Sequence, residues 1–79
     1  MKFTTISPYD KTVHAISWIE LNTPTGNFVI QPGHAPTVLT LTSGEKVTFG
    51  LANGKRESFV VTRGIVHITR DSVMILLNE

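Results

Sequence analysis

Turn-forming residues interrupt this chain at intervals of about ten positions, the spacing typical of short strands joined by tight loops. They fall at Ser7-Pro8-Tyr9-Asp10, Asn22-Thr23-Pro24-Thr25-Gly26, Gln31-Pro32-Gly33-His34, Ser43-Gly44, Asn53-Gly54, Gly64 and Arg70-Asp71-Ser72. No window between them is long enough for a sustained helical pattern. The side chains agree: eleven threonines, eight valines and seven isoleucines make about a third of the residues β-branched, against three alanines. Branching at Cβ stiffens χ1 and suits a pleated surface. The spacing therefore predicts an all-β sandwich or barrel, one domain spanning residues 1–79.

A chain of 79 residues and 8.7 kDa builds only a thin core, because a domain of this size hides about 60% of the surface it exposes when unfolded. With no cysteine there is neither a disulfide framework nor a thiolate metal cage to reinforce it. Net charge is +1 and the charges are dispersed, which disfavours a dedicated duplex-binding module, whose affinity depends on many phosphate contacts. The longest apolar run, Val73 to Leu77, is far too short to span a bilayer as a helix. No secretory signal is visible after Met1-Lys2.

Individual segments carry more specific expectations. In Glu45 to Thr62, Val47, Phe49 and Leu51 alternate with Lys46, Thr48 and Gly50, and Asn53-Gly54 supplies a two-residue type I′ hairpin turn. Gly50 marks a bulge or a close approach of another backbone. Val73-Met74-Ile75-Leu76-Leu77 is apolar on both faces, as in a strand covered on both sides. Lys2 to Ser7 reads as an edge strand. Across Thr12 to Leu21, Ile16, Trp18 and Glu20 fall on one face, with Ile19 and Leu21 pointing inward on the other. Trp18 then faces outward, either packed under a loop or neighbouring edge, or serving as an interface anchor.

The residues offer little chemistry. The five serines lack a Gly-x-Ser-x-Gly elbow. Glu20, Glu45, Glu57 and Asp71 occupy solvated positions rather than a paired-carboxylate site. His14, His34 and His67 lack the short ligand spacing of zinc motifs, so no metal site is expected. Neither Gly-x-Gly-x-x-Gly nor Gly-Lys-Ser occurs, so no phosphate cradle is present. Lys55-Arg56 beside Phe59 is the one basic-aromatic cluster and reads as a solvated hairpin tip. The densest local pattern is Gly26 to Pro36, where Pro32 and Pro36 stiffen an exposed loop and Pro32-Gly33 fits the middle of a type II turn. His34 there either caps backbone groups or belongs to a preorganised recognition loop.

The run Thr25-Gly26-Asn27-Phe28-Val29-Ile30-Gln31-Pro32-Gly33-His34-Ala35-Pro36 resembles the Gly-x-x-Gly-Ile-x-Pro-Gly-His-Ala-Pro signature of the epsilon subunit of rotary ATP synthases, called delta in mitochondria. The likeness continues through Leu41-Thr42-Ser43-Gly44, Asn53-Gly54, Phe59-Val60-Val61, Gly64 to Ile68 and Ser72 to Leu76, almost the whole chain. Three positions depart from the pattern: Val29 replaces the second glycine, Asn27 replaces a frequent acidic residue, and Arg63 replaces one of a glycine pair.

The resemblance implies a small β-sandwich of two mainly antiparallel sheets, with about eight to ten short strands, at the foot of the central stalk. It implies a non-catalytic rotor subunit, with no cofactor, that grips the gamma subunit and rests on polar loops of the membrane rotor ring. Such a subunit works as a peripheral part of the complex, on the cytoplasmic face of the membrane, without inserting into it. Carried over by position, Gly26, Asn27, Gln31, Pro32, Gly33 and His34 form the ring-facing loop. Relatives add a helical hairpin that can inhibit ATP hydrolysis. A chain ending at Asn78-Glu79 is expected to be a short form without C-terminal helices or that inhibition, although a domain excised from a longer protein and a stand-alone paralogue also fit. Two further possibilities are a free-standing adaptor derived from that subunit and a small β-barrel that binds single-stranded nucleic acid.

Overall fold

The computed structural model describes residues 1–23, 26–41 and 44–77. These form eight strands: β1 (Lys2–Ile6), β2 (Lys11–Thr23), β3 (Gly26–Ile30), β4 (Thr37–Leu41), β5 (Glu45–Leu51), β6 (Arg56–Val61), β7 (Gly64–Ile68) and β8 (Ser72–Leu77). The turns expected at Pro24-Thr25 and Thr42-Ser43, and the chain end at Asn78-Glu79, lie outside the described residues.

Hydrogen-bonded neighbours run β4-β7-β8-β1-β2-β5-β6, with β3 also paired to β2. Every pair is antiparallel except β1 with β8. The path curls into two layers because β2 serves both. Its first part, Lys11–Ala15, pairs with β1, while Ile16–Leu21 pairs with β5 and Ile19–Thr23 with β3. The all-β sandwich is therefore as expected, but β1 is a central strand, not an edge. Its second neighbour is β8, some seventy residues away in sequence, and local alternation carries no trace of so distant a pairing.

The register of β2 against β5 shifts between Ile16 and Trp18. A bulge adds one residue to a strand and reverses the alternation beyond it. Ile16 is consequently buried on the same side as Ile19 and Leu21, not on the face of Trp18 as strict alternation requires. Ser17 takes up the extra position and is exposed.

Between the layers, Phe3 of β1 meets Phe49 of β5 edge-on, with centroids 5.0 Å apart, and Phe49 meets Phe59 of β6 at 6.2 Å. His14 of β2 lies 5.4 Å from Phe49. Edge-to-face pairs at these separations add to the burial of large apolar areas, and they tie one layer to the other. Phe59 thus points into the sandwich, away from Lys55 and Arg56.

The hairpin β5–β6 forms as expected, but its turn differs. Leu51 donates its amide to the Lys55 carbonyl at 2.7 Å and accepts the Gly54 amide at 3.0 Å. This closes a three-residue loop, Ala52–Gly54, in which only Gly54 takes a positive φ, of +90°. A type I′ turn requires positive φ at Asn53 as well. Instead, the Asn53 Oδ1 accepts the Lys55 amide at 3.0 Å.

Gly50 is needed for a close approach, though of a side chain rather than a backbone. A Cβ there would lie 2.2 Å from the Trp18 indole nitrogen. Trp18 lies across Gly50, its partner in register, with the Arg56 guanidinium 5.3 Å from its ring. It is half-buried, packed within the chain against the neighbouring strand with part of the ring still open to solvent. β8 departs most from expectation. Val73 and Ile75 are fully buried, but Met74 and Leu76 are exposed, so the described residues cover only one side of the strand.

Because Ala at position 50 collides with the indole, Gly50→Ala is expected to lower unfolding free energy by about 2 kcal/mol, within the range for overpacking. In a Trp18→Ala background the same change should fall below about 1 kcal/mol, since the pair is in contact and non-additive. Urea denaturation of the four chains of the cycle measures both.

Candidate docking surface

The segment between β3 and β4 adopts the turn its sequence predicts. Pro32 presets φ for the second position of a type II turn, and the third needs a positive φ; Gly33 supplies it at +91°. The His34 amide closes the turn on the Gln31 carbonyl at 3.2 Å. The His34 Nδ1–H donates to the Ala35 carbonyl at 2.7 Å, and the Thr37 hydroxyl donates to the same oxygen at 3.0 Å. The imidazole, half-buried, therefore caps backbone at this corner and leaves Nε2 for another partner.

This turn is fastened to its neighbours through backbone alone. The Gly33 amide donates to the Arg70 carbonyl in the β7–β8 turn at 2.7 Å, and the Lys2 amide donates to Asp71 of that turn at 3.1 Å. Ile16 donates to Met1 at 2.8 Å, and Ala52 at the β5–β6 tip donates to Ala15 at 3.3 Å. Five separate stretches of chain are thereby joined into one end of the sandwich.

Of the six residues expected on one loop, Gln31, Pro32, Gly33 and His34 share this end. Gly26 and Asn27 do not. They pair with Thr23 and Asn22 at the opposite end of β3, about 13 Å away at the usual rise per strand residue. The Asn27 amide group donates to Glu20 at 2.9 Å and to Asn22, so it is engaged within the sheet. Trp18 stands near the start of that sheet's outer face, against Gly50 and Arg56. The three histidines are dispersed over β2, this corner and β7, and among the described residues no three ligating side chains come together. Phe59 is turned into the core, and the aromatic ring beside Arg56 is that of Trp18.

A second surface was not expected. On the outer face of the β4-β7-β8-β1-β2 layer, register aligns Thr40, Ile65, Leu76 and Ile6 in one row, and Val38, His67, Met74, Thr4 and Val13 in the next. Val38 is 64% exposed, Val13 53%, Ile65 47% and Leu76 43%. Contiguous exposed aliphatics of this kind mark contact surfaces more than solvent-facing sheet. The two-sided apolarity of Val73 to Leu77 was its signal in the sequence.

Residues 1–79 match the family described as the ATP synthase, Delta/Epsilon chain, beta-sandwich domain. The chain belongs to this family. Among solved structures, a chain of the Euglena gracilis mitochondrial ATP synthase (OSCP/F1/c-ring, rotational state 1) is 22% identical with a TM-score of 0.84, matched over 95% of this chain and 48% of its own. A chain from the central stalk and c-ring of the Tetrahymena thermophila mitochondrial ATP synthase is 21% identical with a TM-score of 0.78, matched over 100% of this chain and 63% of its own. The chain thus spans about half to two-thirds of the length of those chains, and at these identities the likeness is one of fold. No curated protein sequence gives a significant match. In this chain the run Gln31-Pro32-Gly33-His34 forms a corner closed by backbone bonds, with Gln31, Pro32 and Gly33 exposed and His34 half-buried.

A side chain at position 33 must enter the left-handed region, which costs an L-residue about 1–2 kcal/mol. Gly33→Ala is therefore expected to destabilise the fold by about 1 kcal/mol, and to speed hydrogen exchange of the amides at 33 and 34 before those of β1 or β8. Exchange followed by NMR checks both.

Proposed function

We propose that this chain is a non-catalytic subunit of the rotating central stalk of an F-type ATP synthase. It links a gamma-like stalk subunit to polar loops of the membrane rotor ring, so that ion-driven rotation of the ring turns the stalk and sustains ATP synthesis. The observation that carries this is the family match over all 79 residues. The two surfaces give it a physical form. Gln31 to His34 make the ring-facing contact, because a stiff corner held by backbone bonds transmits lateral force without yielding, and preordered loops lose little entropy on docking. The aliphatic face of Val13, Ile65, Met74 and Leu76 contacts the gamma-like subunit, because it can be withdrawn from water only by a second layer.

In this role the domain stays peripheral to the membrane, on the side where the stalk stands. The described structure is all strand and contains no helix long and apolar enough to cross a bilayer. Its work is mechanical: the corner bears load and the aliphatic face holds.

The chain has no cysteine, so single-cysteine variants report cleanly. In the assembled complex, His34→Cys should cross-link to a cysteine in the ring's polar loop, whereas Asp10→Cys, in the β1–β2 turn at the opposite end, should do so at least about tenfold less if the sandwich docks by one end. Equal yields would remove the corner from the ring contact. Leu76→Lys should weaken capture of the gamma-like subunit by about tenfold or more, one buried anchor's worth, while leaving Tm nearly unchanged because Leu76 is exposed in this chain. Retained capture would place that subunit elsewhere.

A further inference from the structure

Among the described residues, three whole strands have a neighbour on one side only: β4 beside β7, β6 beside β5, and β3 beside β2. An edge strand presents unpaired amides and carbonyls at alternate residues, and native edges are commonly blunted with charge, proline or a bulge. β6 carries Arg56 and Glu57, and β3 opens on Gly26, a residue that weakens a strand. The first part of β2, Lys11–Ala15, which closes the far side of the β4 layer, begins on a lysine. β4 has none of these devices. It runs Thr37-Val38-Leu39-Thr40-Leu41 and keeps unbroken register with β7 over all five residues. It is also incompletely covered. The inward Leu39 packs on the core yet stays half-buried, whereas Val66, Ile68, Val73 and Ile75 of β7 and β8, which have strands on both sides, are fully buried. Val38, on the outer face, is exposed.

We infer that β4 is a strand-addition site: an extended segment of the gamma-like subunit pairs along its free edge and continues the β4-β7-β8-β1-β2 layer by one strand. The inference rests on the gamma contact proposed above and names how part of it is made. In strand addition the main-chain bonds supply affinity and alternate side chains supply specificity. The segment that fits is extended, lacks proline where it bonds, and sets apolar side chains beside Val38 and Leu39. Its source follows from area. Five residues make an edge of about 17 Å at the usual rise per strand residue. One strand laid along such an edge falls well short of the roughly 1,200 Å² that specific interfaces bury, and a second copy of this chain joined edge to edge adds little to that. The gamma-like subunit brings the missing area. Val38 and Thr40 lie on the free edge and also head the two outer rows, through Met74 and through Ile65 and Leu76, on which that subunit is proposed to sit.

The test is amide hydrogen exchange of the full chain by NMR, free and bound to the gamma-like subunit from the same source. In the free chain the β4 amides that point away from β7 should exchange fast. In the complex they should slow by at least about a hundredfold, as amides in a stable ladder do, and show cross-strand contacts to the subunit's backbone, while the outward amides of β6 change by less than about threefold. Thr37 and Thr40 are three apart, so in an antiparallel ladder one of their amides faces β7 and the other faces outward. Free-chain exchange identifies the outward one. Its proline variant, Thr37→Pro or Thr40→Pro, leaves the β4–β7 ladder whole, so it keeps its Tm and should weaken capture of the subunit about tenfold. Capture that leaves β4 exchange unchanged, or that this variant retains at full strength, overturns the inference while leaving the stalk function and the aliphatic contact intact. No capture under any condition overturns both. Protection of β4 that grows with the concentration of this chain alone, and not with the subunit, assigns the edge to a second copy and overturns the choice of partner.

Discussion

The sandwich depends on the extra residue near Ser17. One strand, β2, must serve two layers, and a strand that passes from one layer into the other must turn while keeping its apolar side chains inside. Strict alternation fails at that passage: Ile16 and Ile19 are three apart and would face opposite ways. The bulge between Ile16 and Trp18 restores both to the core and bends the strand. It also sets Trp18 on the outside, where an indole would stand exposed without a flat place to lie. Gly50 opposite, lacking a Cβ, is that place. Bulge, tryptophan and glycine are thus one arrangement, and the Arg56 guanidinium over the ring completes it.

The same bend organises the corner. By turning β2 near Ala15, it brings that residue beside Ala52 of the β5–β6 tip and Ile16 beside Met1. The β7–β8 turn then joins Met1-Lys2 on one side and Gly33 on the other. The connections between these stretches are backbone bonds, so the exposed side chains of Lys2, Lys55 and Arg70 are not what joins them. A surface of that kind can vary in charge while holding its shape. Arg70 illustrates this: its carbonyl accepts the Gly33 amide while its side chain is exposed.

How much of this was legible in the sequence depended on the range of the interaction. The β5–β6 hairpin and the Pro32-Gly33 turn were readable because turn chemistry is local: a ring that fixes φ, a glycine that permits a positive one. Even so, Asn53-Gly54 suggested the wrong turn, because the choice between type I′ and a three-residue loop depends on which residues of the two strands pair. The central position of β1 was illegible because its second partner, β8, lies at the other end of the chain. Ile16 was misplaced because a bulge leaves no mark in alternation beyond a small polar residue such as Ser17. The corner's family motif was plain, but the separation of Asn27 from His34 by the length of β3 was not, since a motif lists residues in order and says nothing of which end of a strand they occupy.

The most instructive mismatch is β8. Its two apolar faces implied cover on both sides, and the sequence was right about the side chains: Met74 and Leu76 are as apolar as Val73 and Ile75. What the fold withholds is the second layer. The outer rows through Ile65, Leu76 and Ile6, and through Val38, Met74 and Val13, form a largely aliphatic sheet surface on which none of the described residues forms a second layer. A thin-cored domain of 79 residues cannot spare such area from its own stability, because each buried side chain of this kind contributes roughly 1.5–3 kcal/mol. Association with a partner that binds only the folded form adds that free energy back by mass action. The composition that first looked insufficient for a stable domain would then be sufficient for half of an interface, the role proposed above for the outer face of β8.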